Sequence, residues 1–256
     1  MPGYATYPDL AGKVAVVTGG SRGIGAATAA ALAANGVAVA VVGRDPGATA
    51  ASSAAARALG AAAIGVTADC TREDQVAGLR ERVTAELGSP AILAAFAGGN
   101  GMPVPTEAET PAHWREVIES DLTSAFLTVS AFLPEMLARG GGSVITMASD
   151  AARHAGKSCA AYAAAKAGVI AFTRHLAGEY AGRGVRANCL APAAVENEKM
   201  RTWMTAEQRA ALGGTFPLGR IGQPDDVASA TLYLASSASS WVTGITLDIT
   251  GGKVML

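Results

Sequence analysis

Charge is scarce in this chain of 256 residues: 16% are Asp, Glu, Lys or Arg, and they sum to a net −1. A balance so close to zero excludes the broad basic footprint of a nucleic-acid-binding protein. With half of the residues hydrophobic, it also excludes a disordered chain and leaves ample material for a core. Cysteine is equally sparse. Cys70, Cys159 and Cys189 are an odd, scattered set, which argues against a disulfide framework and for a reducing, cytoplasmic setting. No CxxC pair and no local Cys/His cluster occurs, so no structural metal is expected. Residues 1–10 have no basic region leading into an apolar run and do not read as a secretion signal.

Long apolar runs are nearly absent as well. Residues 23–43 carry no formal charge and are long enough to span a membrane, but Asn35-Gly36 interrupts them. The residues before that pair are Ala-rich and suit a helix. Those after it alternate Val and Ala like a buried strand. Helix, turn and strand is the reading that fits, and no membrane partner is expected.

What is present is alternation. Short β-branched runs at 14–18, 38–42, 63–67, 92–97, 144–148, 186–190 and 246–249 predict seven strands. Helical stretches are predicted between them, among them 24–34, 74–87, 114–138 and 162–181, with 48–63 a small-residue helix running into a strand. Strands alternating with helices imply βαβ units and an α/β, doubly wound parallel sheet with helices on both faces. No linker, repeat or low-complexity tail divides the chain, so one domain spanning 1–256 is expected.

The first predicted strand ends in Thr18-Gly19-Gly20-Ser21-Arg22-Gly23-Ile24-Gly25, and a helix follows. Glycines at such a junction allow a tight turn and bring backbone N–H groups close to a pyrophosphate, to which the helix N-terminus adds partial positive charge. The second strand ends in Gly43-Arg44-Asp45. An acidic side chain at that point would hold the ribose 2′-hydroxyl of NAD, whereas the Arg44 guanidinium suits a 2′-phosphate. Arg22 could clamp the same phosphate from the other side. The expected cofactor is therefore NADP(H), with Asp45 as the counter-signal, since a shift of one residue would place a carboxylate at the ribose.

Tyr162-Ala163-Ala164-Ala165-Lys166 opens a predicted helix. Residues four apart share a helix face, so phenol and ammonium point the same way. Free tyrosine has a pKa of about 10; a neighbouring cation stabilises tyrosinate and eases proton exchange at neutral pH. Ser149 sits at the end of a predicted parallel strand, where open α/β sheets build their sites.

These features together resemble the short-chain dehydrogenase/reductase family. Its phosphate loop has the Gly-x-x-x-Gly-x-Gly spacing of residues 19–25, and its serine lies about a dozen residues before Tyr-x-x-x-Lys. Val66-Thr67-Ala68-Asp69, Arg183-Gly184-Val185-Arg186-Ala187-Asn188, Pro217-Leu218-Gly219-Arg220 and Val242-Thr243-Gly244 look most like its 3-oxoacyl-(acyl-carrier-protein) reductase branch. The resemblance implies a Rossmann-fold oxidoreductase reducing a ketone to an alcohol. Tyr162 would be the general acid, Lys166 would bind the nicotinamide ribose and favour tyrosinate, and Ser149 would hydrogen-bond the substrate carbonyl. Beyond Tyr162 and Lys166, it implies cofactor contacts at Gly19, Ser21, Arg22, Gly23, Ile24, Gly25, Arg44, Asp69, Cys70, Ala95, Ala97, Gly98, Pro192, Val195 and Asn197.

Four departures stand out. The family's Asn-Asn-Ala-Gly reads Ala95-Phe96-Ala97-Gly98 here. Its Asn on the long helix is Asp121, a candidate catalytic residue whose carboxylate could assist the lysine or alter the pH profile. Its Pro-Gly after the sixth strand is Pro192-Ala193, and its later Thr near the carboxamide is Asn197. They keep open a cofactor-binding protein without redox turnover, and a dehydratase, cyclase or epimerase on the same scaffold. Residues 194–216 occupy the place of the family's substrate lid. Residues 99–102 and 150–154 should rim the pocket, and His154 reads either as a substrate contact or as a plain loop residue. The partners implied are a small-molecule carbonyl or alcohol, free or carrier-bound, and further copies of the chain in a homodimer or homotetramer. Arg139 and Arg183 are a candidate basic spot for an acyl carrier protein.

Overall fold

Val14–Thr18 (β1) is buried along its whole length, as a strand covered on both faces must be. The computed structural model describes residues 3–99, 101–156 and 158–255. In it β1 lies inside a seven-stranded sheet, next to the central strand, with Ala38–Gly43 (β2), Ala63–Thr67 (β3), Ile92–Ala95 (β4), Gly142–Met147 (β5), Val185–Pro192 (β6) and Thr246–Ile249 (β7). The order is β3-β2-β1-β4-β5-β6-β7, and every pairing is parallel. The expected α/β class and doubly wound parallel sheet are therefore observed. The chain runs outward from β1 in one direction and from β4 in the other. This reversal opens a crevice at the strands' carboxyl ends, where such sheets bind ligands.

Helices cover both faces. Gly23–Ala34 (α1) and Pro224–Ala235 (α9) pack on one side around Leu32, Leu232 and Leu234. Pro46–Ala58 (α2) joins that side through Ala56. On the other side lie Glu73–Glu86 (α3), contributing Leu79, and Ser124–Ala138 (α5), contributing Phe132 and Met136. Ala160–Tyr180 (α6) joins them through Leu176. The uncharged stretch 23–43 resolves into α1, a turn at Gly36 with φ +75°, and β2. Among the described residues no helix is long and apolar enough to cross a membrane, and Cys70, Cys159 and Cys189 form no disulfide.

The long helix expected at 114–138 is observed in three parts. Pro111–Ile118 (α4) begins earlier than its apolar pattern suggests, because Thr110 caps it by accepting the His113 N–H and Pro111 takes the first turn, positions that suit both residues. A π turn, Glu119–Thr123, follows before α5 begins. Such a turn inserts one residue into the helical ladder and often marks a functional site. Here it carries Asp121 into the interior.

Phe132 has no exposed surface. Phe132→Ala is expected to lower unfolding free energy by about 3–5 kcal/mol in urea titrations; a loss under about 1 kcal/mol would show that the α5 side of the core collapses around the cavity.

Candidate active site

The neighbour order β1-β4-β5 brings three loops together. Thr18 at the end of β1 accepts hydrogen bonds from the Phe96 and Ala97 N–H groups after β4, at 3.1 and 3.2 Å. This ties the glycine loop to the 96–99 segment. Gly19 has φ +64°, and a Cβ there would meet the Phe96 carbonyl oxygen at 2.7 Å. A Cβ on Gly25 would run into the Gly19 carbonyl. The loop thus folds back onto the first turn of α1, where Arg22 occupies the cap position without a side-chain cap and no acidic residue neutralises the turn. First-turn N–H groups lacking a protein partner form an anion site. Ser21, Gly23, Ile24 and Gly25 all lie on this cradle, and its shape and polarity fit a pyrophosphate.

Next to it, Arg44 is exposed at the end of β2, and its charge bears on Asp69 beyond β3. The Asp69 carboxyl is held low chiefly by the Thr71 N–H, against a raising effect of burial, with the Thr71 hydroxyl and the Arg44 charge adding to it. The Arg22 guanidinium binds Asp45 at 2.5 Å and lies 3.7 Å from Glu198. The reason is local charge: Asp45 projects from the cap of α2, where it also accepts the Ala48 N–H. That cap and ion pair engage Asp45, the residue that could have signalled NAD. Two further expected contacts turn inward. The Cys70 side chain is buried with α3 and α5, where burial pushes its thiol to about 11, and the Ala95 methyl is buried in the same core. Only their backbones remain to face a ligand.

At the β4 and β5 ends the catalytic candidates converge. Lys166 is buried; its ammonium donates to the Met147 carbonyl at the end of β5 (3.0 Å) and to Asp121 Oδ1 (3.0 Å). The same Oδ1 accepts the Gly99 N–H at 2.6 Å, and Oδ2 accepts the Ser120 hydroxyl at 2.7 Å. Burial works to raise the Asp121 carboxyl, but the Lys166 charge, the Gly99 N–H and the Ser120 hydroxyl hold it below the usual range. Burial works against the Lys166 charge, yet the Tyr162 oxygen and Asp121 raise that ammonium above its ordinary value. Lys166 Nζ lies 5.5 Å from the centre of the Tyr162 ring. Gly101 packs against the other part of that ring, since a Cβ there would meet its carbons at 2.9 Å. Ser149 follows β5; its Oγ accepts the Ala151 N–H at 3.2 Å and donates to Asp150 at 3.1 Å.

Around this centre, Pro192 ends β6, and Val195 is buried and bridges to Gly222. Asn197 caps Glu198–Trp203 (α7), accepting the Met200 N–H at 2.9 Å and donating to the Val195 carbonyl at 3.2 Å. Its amide is engaged in shaping the 194–216 segment. Within that segment Ala206–Gly213 (α8) follows, and Trp203 is 60% exposed. His154 lies 3.4 Å from Asp150, which also pairs with Lys253 at 3.0 Å. Asn100, on the expected rim, lies outside the described residues. The ion pair of Lys253 near the serine was missed in the sequence, since nothing local in the carboxyl-terminal residues points to Asp150. The grouping of Glu109, His113 and Cys159 beside Tyr162 was missed as well. Only the i, i+4 spacing of Glu109 and His113 could have hinted at it.

Comparison with known proteins agrees with this geometry. Residues 19–253 match the family model described as enoyl-(acyl carrier protein) reductase. The chain is 40% identical over 243 residues to cis-4-hydroxycyclohexanecarboxylate dehydrogenase of Sinomonas cyclohexanicum, covering 95% of this chain and 97% of that protein. It is 36% identical to the 3-oxoacyl-(acyl-carrier-protein) reductase FabG of Escherichia coli (strain K12), covering 97% and 100%. Among solved structures, levodione reductase superposes with a TM-score of 0.90 at 29% identity, covering 95% of this chain and 98% of that one. A 7α-hydroxysteroid dehydrogenase complexed with NADH and 7-oxo glycochenodeoxycholic acid gives 0.90 at 31%, covering 98% and 97%.

The Asp121–Lys166 pair has a defined pH signature. A depressed carboxyl contributes stability above its ordinary pKa and loses it as pH falls through the depressed value; a raised ammonium contributes below its ordinary pKa and loses it only as pH rises through the raised value. The contribution should therefore be flat through neutrality. Asp121→Ala, which strands a buried ammonium, is expected to cost about 3–5 kcal/mol near neutral pH. In urea titrations the gap to the native chain should narrow on acidification below about pH 4. A gap that stays constant down to about pH 2 would contradict the assignment.

Proposed function

The chain belongs to the short-chain dehydrogenase/reductase family, and from that premise we propose that it is an NADP(H)-dependent ketoreductase with Tyr162 as its general acid. The observation that carries this reading is the buried Lys166 ammonium, fixed beside the Tyr162 ring at the carboxyl ends of β4 and β5. The dinucleotide, when bound, supplies the hydride.

The chain's own residues do the rest. The 19–25 loop and the first turn of α1 receive the pyrophosphate. Arg44 pairs with the 2′-phosphate; the Arg22–Asp45 pair is exposed and screened by solvent, and it yields Arg22 to the same dianion. Ser149 donates to the substrate carbonyl oxygen, and Tyr162 transfers its phenolic proton to that oxygen as the alcohol forms. Lys166 stabilises the resulting phenolate by its charge. Two of its three N–H groups are directed to Met147 and Asp121, and the third serves the nicotinamide ribose. Asp121 acts as a positioning residue, holding the ammonium charged and in place.

The relatives' names point to cyclic and 3-oxoacyl ketones as the first substrates to offer. The 194–216 segment, with Met200 and Trp203, closes over an apolar substrate and excludes water. Residues 1–256 act as one catalytic domain in a reducing, cytoplasmic setting. The outer faces of α5 and α6, where Phe126 is half exposed against Phe172, pair between copies in a dimer or tetramer.

Following NADPH absorbance against a panel of such ketones tests the reading; tight NADPH binding with no oxidation by any of them would refute it. Tyr162→Phe is expected to lower kcat by roughly 10²–10⁴-fold with NADPH affinity, read by fluorescence, nearly unchanged; an active Phe variant would remove Tyr162 from the role. Arg44→Asp should shift the kcat/KM preference towards NADH by roughly tenfold or more, about 1.4 kcal/mol. An unchanged ratio would undo the NADP(H) assignment.

A further inference from the structure

Glu109, His113 and Cys159 present a carboxylate, an imidazole and a thiol whose ligand atoms all lie within 4.8 Å of one another. Each reaches the cluster from a different piece of local structure. Glu109 stands at the turn just before α4, with its side chain almost wholly buried. His113 comes from the first turn of α4 and meets Glu109 Oε1 at 3.0 Å through Nδ1. Cys159 is the cap residue of α6 and is buried. The Glu109 carboxylate also accepts the Ala161 N–H, at 3.2 and 3.4 Å to its two oxygens.

We propose that Glu109, His113 and Cys159 form a binding site for a zinc-class divalent cation that clamps the start of α4 to the first turn of α6. Sulfur, imidazole nitrogen and carboxylate oxygen are the donor set of tetrahedral Zn²⁺, with bonds of about 2.0–2.3 Å. Ligand atoms around such an ion stand roughly 3.3–3.8 Å apart, so side-chain adjustments of an ångström or so close the present arrangement. Glu109 also lines a cavity of about 340 Å³ together with Thr106, Thr110, Trp114 and Ala160, and a water ligand completes the tetrahedral set. On binding, the Cys159 S–H bond breaks, its proton leaves to solvent and the sulfur–metal bond forms, with no change of oxidation state. Tyr162 lies three residues beyond Cys159, on the turn that the ion would fix. The inference rests on the donor geometry and goes beyond the ketoreductase reading, which stands or falls separately.

The test is titration of the purified full-length protein with Co²⁺, read in the near ultraviolet for thiolate-to-metal charge transfer, followed by displacement with Zn²⁺. The expected result is a charge-transfer band saturating at one equivalent, erased by Zn²⁺, lost in Cys159→Ser and at least tenfold weaker in Co²⁺ affinity in His113→Ala. Cys70→Ser and His175→Ala should retain the band. His113 is partly exposed, so that variant remains informative if Cys159→Ser fails to fold. Absence of a band in the native chain, or an undiminished band in either ligand variant, would overturn the site.

Discussion

The buried ammonium of Lys166 is the constraint around which the site is organised. An unpaired charge of that depth is costly, and a buried pair is tolerated only when geometry and additional hydrogen bonds compensate its desolvation. Here the compensation comes from three elements at once: the Met147 carbonyl from β5, Asp121 from the π turn, and the Gly99 N–H that Asp121 itself accepts. Moving any of them would strand a charge. The pair thus locks α6 to the sheet and to the loop after β4, and with α6 it locks the direction of Tyr162. The π turn is the backbone's adjustment to that requirement, for it carries Asp121 inward without ending the helical run from α4 to α5.

The sheet supplies the second constraint. Because β1 lies beside β4 and β4 beside β5, the glycine loop, the 96–99 segment and Ser149 emerge side by side without a long connection. Thr18 joins the first two by direct hydrogen bonds. Polarity is then graded along the crevice. Uncapped N–H groups and arginines lie towards the β2 end, and a neutralised Lys–Asp pair with a phenol and a hydroxyl lies towards the β5 end. A dinucleotide with a charged phosphate end and a reactive ring matches that gradient.

Much of this was legible in the sequence. Strands β1, β3 and β7 read directly from their apolar runs, and the helix–turn–strand reading of 23–43 followed from one Asn-Gly pair. The glycine loop, Ser149, Tyr162 and Lys166 could be singled out as candidates by residue type, spacing and family resemblance, because the features that mark them are local. What escaped depends on contacts between distant segments. That Asp121 would reach Lys166 required a π turn, which no periodicity signals. That Arg22 would turn to Asp45 depended on the geometry of the α2 cap. The inward direction of the Cys70 and Ala95 side chains follows from the alternation of side chains across a strand and its extension. The convergence of Glu109, His113 and Cys159 joins residues about fifty positions apart, so no local Cys/His spacing announces it.

A crevice that directs hydride from a bound nicotinamide to a ketone carbon is tested most directly with NADPH deuterated at the transferring position of C4, a cyclic or 3-oxoacyl ketone, and mass spectrometry of the alcohol. One deuterium is expected on the carbinol carbon of the product. Deuterium that stays on the cofactor while NADPH remains firmly bound would contradict it.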